Sequence, residues 1–200
     1  HTNIVASSVN YSFLISDMPF MSFYNANVAL DNAKRLMQDG GAQMVKLEGN
    51  RSQINIIEKL ALSDIPICAH IGLRPQSVNK MGGYKVQGKS SNEANALIQE
   101  AKKIEDSGAD LLLLECVSSQ TAKELASEIS IPIIGIGAGS EVDGQILVLY
   151  DILGISQGQF NYQKIGDDNA VILTGSVSTK NNGGFIQIKR NLNNVNLIKV

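Results

Sequence analysis

The sequence predicts an α/β fold built as a series of five βα units, followed by a short antiparallel β segment. Three observations carry this reading. Five short apolar runs alternate with four stretches whose apolar residues recur every three or four positions. The runs are almost unbroken in apolar residues, as in parallel strands covered on both faces, and do not alternate as half-exposed strands do. After about residue 158 the pattern gives way to short alternating runs separated by polar turns.

In chain order the strand runs are YSFLISD (11–17), QMVKLEG (43–49), IPICAHIG (65–72), ADLLLLEC (109–116) and IPIIGIGAG (131–139). Between them lie ANVALDNAKRLMQDGG, RSQINIIEKLALSD, SSNEANALIQEAKKIEDSG and SSQTAKELASEIS. Two of these helical stretches end at Gly, the usual C-terminal stop. The strand starts at 11, 43, 65, 109 and 131 leave one interval much longer than its neighbours, after the third strand. That interval holds HIGLRPQSVNKMGGYKVQGKS (70–90), which mixes Pro75, Gly82, Gly83 and Gly88 with Lys80, Tyr84, Lys85 and Lys89. A loop this long inside a compact domain is a lid, a binding element or a disordered connector, and its apolar residues and Tyr84 argue for order.

In "DILGISQGQFNYQK" (151–164) the left half reads as the end of an amphipathic helix stopping at Gly154. Beyond it QFNYQKI, AVILTGSVS and FIQIKRNL read as antiparallel strands, with turns at Gly166–Asn169 and Asn181–Gly184. The "NNGG" of the second turn is a strong hairpin signal. All four prolines lie before residue 133, which places the change of regime at a boundary near 155–160.

The totals restrict the function classes. A chain of 200 residues with 44% hydrophobic content can bury a core. A net charge of −2 gives no reason to expect nucleic acid or an anionic membrane as partner. No apolar run approaches the roughly 18 residues that span a bilayer, and HTNIVASSVN lacks the basic start and apolar core of a signal peptide. Cys68 and Cys116 both sit in apolar runs, which suits reduced thiols and a cytoplasmic protein.

In parallel βα folds, chemistry gathers at the carboxyl ends of the strands. Those ends hold Asp17, then Lys46 and Glu48, then His70, then Glu115, then Gly135, Gly137 and Gly139. Each has a plain alternative. Asp17 precedes Met-Pro and could simply stop its strand. Lys46 and Glu48, two apart on one strand face, could be an internal structural pair. His70 could be a satisfied core histidine. Glu115 could be a cap, but it ends a run of four leucines, where a carboxylate is costly to bury unless paired or kept protonated, and such a group suits a general base. Three carboxylates without clustered histidine or cysteine suggest a hard, oxygen-preferring ion such as Mg²⁺. The glycine-rich IGIGAG would let backbone approach an anion but lacks the acidic partner of a dinucleotide fingerprint.

Together "SDMPFMS", "GGAQMVKLEG", "HIGLRPQSVNKMGGYKVQGK", "LLLLECV", "IPIIGIGAG" and "DGQILVLYDILGI" resemble the successive motifs of the ketopantoate hydroxymethyltransferase family, over residues 1 to about 158. The resemblance implies a partial (β/α)₈ TIM barrel. It also implies transfer of a hydroxymethyl group from 5,10-methylenetetrahydrofolate to 3-methyl-2-oxobutanoate, an early step of pantothenate and coenzyme A synthesis, in homo-oligomers that are often decamers. On that likeness Asp17 binds Mg²⁺ and touches the oxoacid, Glu48 is a further Mg²⁺ ligand, Lys46 contacts the substrate oxygens, Glu115 takes the C3 proton, and His70 orients the substrate. The alternatives are another Mg²⁺-dependent carbon–carbon lyase of the same superfamily, a β-sandwich binding module described by the tail alone, and a non-catalytic chimera. Family members begin with two further βα units, whose Gly-Asp-Ser motif has no counterpart here, so the chain is expected to bind Mg²⁺ poorly and to turn over slowly. Residues 159–200, centred on "VSTKNNGGFIQIKR", resemble part of the complex I intermediate-associated protein 30 family, a β-sandwich.

Overall fold

A computed structural model describes residues 1–49 and 52–148. The expected helix end at Gly154, the boundary near 155–160 and the β segment of 159–200 lie outside the described residues.

A short helix, α1 (Thr2–Ala6), precedes β1 (Ile15–Asp17). There follow α2 (Ala26–Lys34), β2 (Met44–Glu48), α3 (Ile54–Ala61), β3 (Ile67–Gly72), α4 (Val78–Met81), α5 (Ser91–Asp106), β4 (Leu111–Glu115), α6 (Ser119–Glu128), β5 (Ile133–Ile136) and β6 (Gly144–Gln145). The strands form one sheet in the order β1-β2-β3-β4-β5-β6, every neighbouring pair parallel. Sequential order with right-handed crossovers moves the chain steadily one way and leaves the helices on one side, which is the construction of a TIM barrel. The described part is thus a partial barrel of six parallel strands. β6 is one strand more than the five expected. It is two residues long and lies in the polar string "DGQ", so no apolar run announces it.

The five expected strands form, but shorter than their apolar runs. YSFLISD yields only Ile15–Asp17, and Tyr11 and Phe13 remain exposed ahead of it. The helical stretches form where expected. Asn25 caps α2 by accepting from the Val28 N–H, and Ser90 opens α5 with a reciprocal capping box to Glu93. α2 does not run on as an α-helix, because Arg35–Asp39 widens into a π turn. Among the described residues no helix is long and apolar enough to cross a membrane.

The sheet separates two cores. Its outer face, with Val45, Leu47, Ile67, Ala69, Ile71, Leu112, Leu114 and Ile133, packs against Ala29 and Ala33 of α2, Ile57 and Leu60 of α3, Ile104 of α5 and Leu125 of α6. Its inner face carries a smaller cluster of Met44, Cys68, Leu113 and Ile134, with Ile15, Leu111 and Ile146 against it. This second set lies toward the amino ends of the strands. It leaves the carboxyl ends of the same face for polar residues.

Candidate active site

Register decides which side chains share that inner face. Asp17 pairs with Lys46 across β1–β2, Glu48 with His70 across β2–β3, and His70 with Leu113 across β3–β4. Residues two apart on a strand point the same way. Lys46 and Glu48 therefore share a face, as do Leu113 and Glu115. Asp17, Lys46, Glu48, His70 and Glu115, all expected from the sequence, stand on one side of four adjacent strands at their carboxyl ends.

They resolve into two pairs and a singleton. The Lys46 ammonium donates to Asp17 Oδ1 at 2.7 Å, with the Lys46 side chain 14% and that of Asp17 56% exposed. An ion pair this open to water contributes little stability, so its effect is to place the ammonium. His70 is buried, and its Nε2 stands 3.2 Å from Glu115 Oε2. That is within ion-pair reach, but neither ring nitrogen has a partner in hydrogen-bonding alignment. The distance establishes proximity and the misalignment denies a formed hydrogen bond. Glu48 joins neither pair. It is buried, and its Oε1 accepts from the Gln76 backbone N–H at 3.0 Å while its Oε2 has no partner.

Gln76 was not legible as a site residue. It belongs to the short 3₁₀ turn Pro75–Ser77 at the start of the long loop. Its side-chain amide donates to the Met18 carbonyl at 2.9 Å, and its own Oε1 is buried without a partner. No residue-type signal marks a backbone N–H as a ligand, so only the fold could find it.

The long loop starts and returns at one place. Leu73 N–H donates to the Glu115 carbonyl and Gln87 N–H to the Cys116 carbonyl, both at 2.8 Å. The Ser118 and Thr121 hydroxyls both donate to the Gly88 carbonyl, at 2.8 and 2.7 Å. The stem is thus fastened to the strand end that carries Glu115, with Cys116 turning the chain in a left-handed conformation (φ 51). The loop is ordered in this structure, and Tyr84 stands exposed on it. Gly72, the last residue of β3, lies directly under the fastening. It has φ +87, and a side-chain carbon there would overlap the Glu115 carbonyl oxygen and come within 2.7 Å of Val117 Cγ2.

Cys68 sits below the polar layer. Burial, opposed by Lys46 and reinforced by Asp17, pushes its thiol up to about 12, so it is chemically inert near neutrality. Cys116 is also pushed up, by partial burial and then by the Glu115 charge. Two of the IGIGAG glycines, Gly135 and Gly139, are set by packing within the protein. Open space at Gly135 is filled by Val142, whose Cγ2 would lie 3.0 Å from an added carbon, and Gly139 lies against Ser119.

The Glu48 oxygen without a partner, with Asp17 on the same face, is the hard donor chemistry that suits Mg²⁺. The donors fit in kind. In number they supply part of a shell, since among the described residues no three His, Cys, Asp or Glu side chains group closely enough to hold an ion.

Residues 1–175 match the ketopantoate hydroxymethyltransferase family. The chain belongs to that family. It is 50% identical over 159 residues to the 3-methyl-2-oxobutanoate hydroxymethyltransferase of Alkalilimnicola ehrlichii, covering 80% of this chain and 57% of that protein. It is 43% identical over 198 residues to the enzyme of the same name from Shewanella oneidensis, covering 96% of this chain and 75% of that one. The chain therefore spans little more than half the length of the first of these relatives. The hydroxymethyltransferase match runs to residue 175, past the boundary near 158 expected from the sequence. A putative phosphonomutase from Burkholderia cenocepacia superposes with a TM-score of 0.53 at 13% identity, covering 67% of this chain and 57% of its own, which speaks for the barrel fold alone.

Proposed function

We propose that the protein to which this chain belongs transfers a hydroxymethyl group from 5,10-methylenetetrahydrofolate to 3-methyl-2-oxobutanoate, giving 2-dehydropantoate. The observation that carries this reading is the polar layer on one sheet face, in which the Glu115 carboxyl sits 3.2 Å from a buried histidine. Family membership supplies the substrate class.

Glu115 is the base. Proton abstraction beside a keto group needs a carboxylate held in one place; the leucine run fixes the strand end that carries Glu115, and the His70 ring lies 3.2 Å from its carboxyl. Lys46, its ammonium set by Asp17, offers its remaining hydrogens to the carboxylate and keto oxygens of the oxoacid. Glu48 and Asp17 are the residues that would hold Mg²⁺, which supplies Lewis-acid stabilisation of charge developing on the keto oxygen. With the C3 proton on Glu115, C3 forms a bond to the methylene carbon of the folate. Water supplies the hydroxyl oxygen: it adds to the methylene carbon as both C–N bonds of the folate break, which releases tetrahydrofolate. The oxygen on that carbon takes up the proton removed from C3 once the bond to C3 has formed. Homo-oligomerisation belongs to the same reading.

The first half of this chemistry can be measured alone. Deuterium incorporation at C3 of 3-methyl-2-oxobutanoate, followed by NMR in D₂O with Mg²⁺, is expected to fall roughly 10²–10⁴-fold in Glu115→Gln. Exchange that persists in that variant removes Glu115 from the role. Product formation that needs no folate would instead favour a carbon–carbon lyase.

A further inference from the structure

We propose that Gln76 is a positioning residue for Glu48, fixing which oxygen of that carboxylate is presented to a divalent cation. The inference rests on the reading of Glu48 as a cation ligand.

Glu48 is buried, with 4% of its surface exposed, yet among the described residues its carboxylate receives one bond, from the Gln76 backbone N–H at 3.0 Å. A buried carboxylate normally collects several donors, so one that keeps a bare oxygen is held for something else. The single bond goes to Oε1, which leaves Oε2 as the bare atom.

What holds the N–H there is the rest of Gln76. The Nε2 donates to the Met18 carbonyl at 2.9 Å, just past the end of β1, and the Met18 N–H donates in turn to the Lys46 carbonyl at 2.8 Å. The preceding residue is Pro75, and Arg74 Nη1 reaches the Gly49 carbonyl at 3.3 Å, so the turn is tied to the ends of both β1 and β2. The amide orientation follows from its partner: the reverse assignment would set oxygen against the Met18 carbonyl oxygen. A neutral donor is what this position requires. An ionised carboxylate here could not donate to Met18 and would add a second negative charge near Glu48, and a lysine would offer its positive charge to Oε2 in place of an external cation.

The test uses Mn²⁺ as the probe and the full chain, with free Mn²⁺ followed by electron paramagnetic resonance. With only part of a shell, the unsubstituted chain is expected to bind weakly but saturably, and Glu48→Gln to lose that site. Gln76→Ala and Gln76→Met are expected to weaken it by roughly 10-fold, at a urea midpoint that moves little for the bulk-preserving Met variant. Equal Mn²⁺ affinity in both Gln76 variants, with the site still lost in Glu48→Gln, overturns the positioning role and leaves the cation reading standing. No saturable binding in the unsubstituted chain, or binding unchanged by Glu48→Gln, overturns the cation reading and the inference with it. A third measurement needs no variant. The Gln76 amide proton is expected to exchange slowly in D₂O, and exchange at the rate of an open loop refutes the Gln76–Glu48 contact itself.

Discussion

Gly72→Ala should be among the most damaging single-methyl changes in this chain, and its cost can be assembled from three parts. The left-handed φ of +87 is one that an L side chain adopts at about 1–2 kcal/mol. The added carbon overlaps the Glu115 carbonyl oxygen and crowds Val117, and forcing matter into a packed site costs about 1–3 kcal/mol. Moving that carbonyl also weakens the 2.8 Å bond it accepts from Leu73, worth about 1 kcal/mol. The sum is roughly 3–6 kcal/mol, a large share of the roughly 5–15 kcal/mol that holds a domain together. Gly82→Ala is the matched control. Gly82 has φ +73, but an added carbon there would meet only the flexible Lys85 ammonium, at 3.6 Å. It should therefore show the conformational part alone, about 1–2 kcal/mol. Urea unfolding of both variants, compared at a common m-value, reads the difference. If the two midpoints fall together, the overlap with β4 contributes nothing and the account of how the loop is fastened there is wrong.

Three further outcomes are expected. Ser90→Ala removes the cap of α5 and should cost about 1 kcal/mol in the same urea assay. The Ser90 and Lys89 amides hold the Glu93 carboxyl below the usual carboxylate range. A depressed folded value means that this stabilisation is present above the unfolded value and is lost as pH falls through the folded one, so Glu93→Gln, which removes the titrating group, should flatten the acid side of a stability–pH profile. Finally, a thiol reagent followed by mass spectrometry at neutral pH should modify Cys116 before Cys68, which should react only on unfolding, since Cys68 is fully buried and pushed up to about 12. Equal labelling rates in the folded chain would contradict the placement of Cys68 beneath the polar layer.

The strands were legible because parallel strands covered on both faces leave unbroken apolar runs, as ICAHIG does with every residue of β3 buried. Their lengths were less so, since apolar character persists where pairing stops: Tyr11 and Phe13 read as strand yet have no ladder to join. β6 escaped because its polar residues sit where β5 dictates, Gly144 opposite Ile134 and Gln145 opposite Gly135. The π turn after α2 changes hydrogen bonding without changing the apolar spacing that betrays a helix. The five strand-end residues were legible because the topology itself gathers strand ends. Gln76 was not, since it acts through its backbone N–H and through a side-chain bond to a residue 58 positions away.

The way the long loop is fastened separates reach from aim. Because Leu73 and Gln87 both attach to the end of β4, the span between them leaves and rejoins the barrel at nearly the same point. A detour with a closed neck can be lengthened or shortened at its far end at a cost that grows only with the logarithm of its length. The far end of the loop can thus change in length while Glu115 stays where it is.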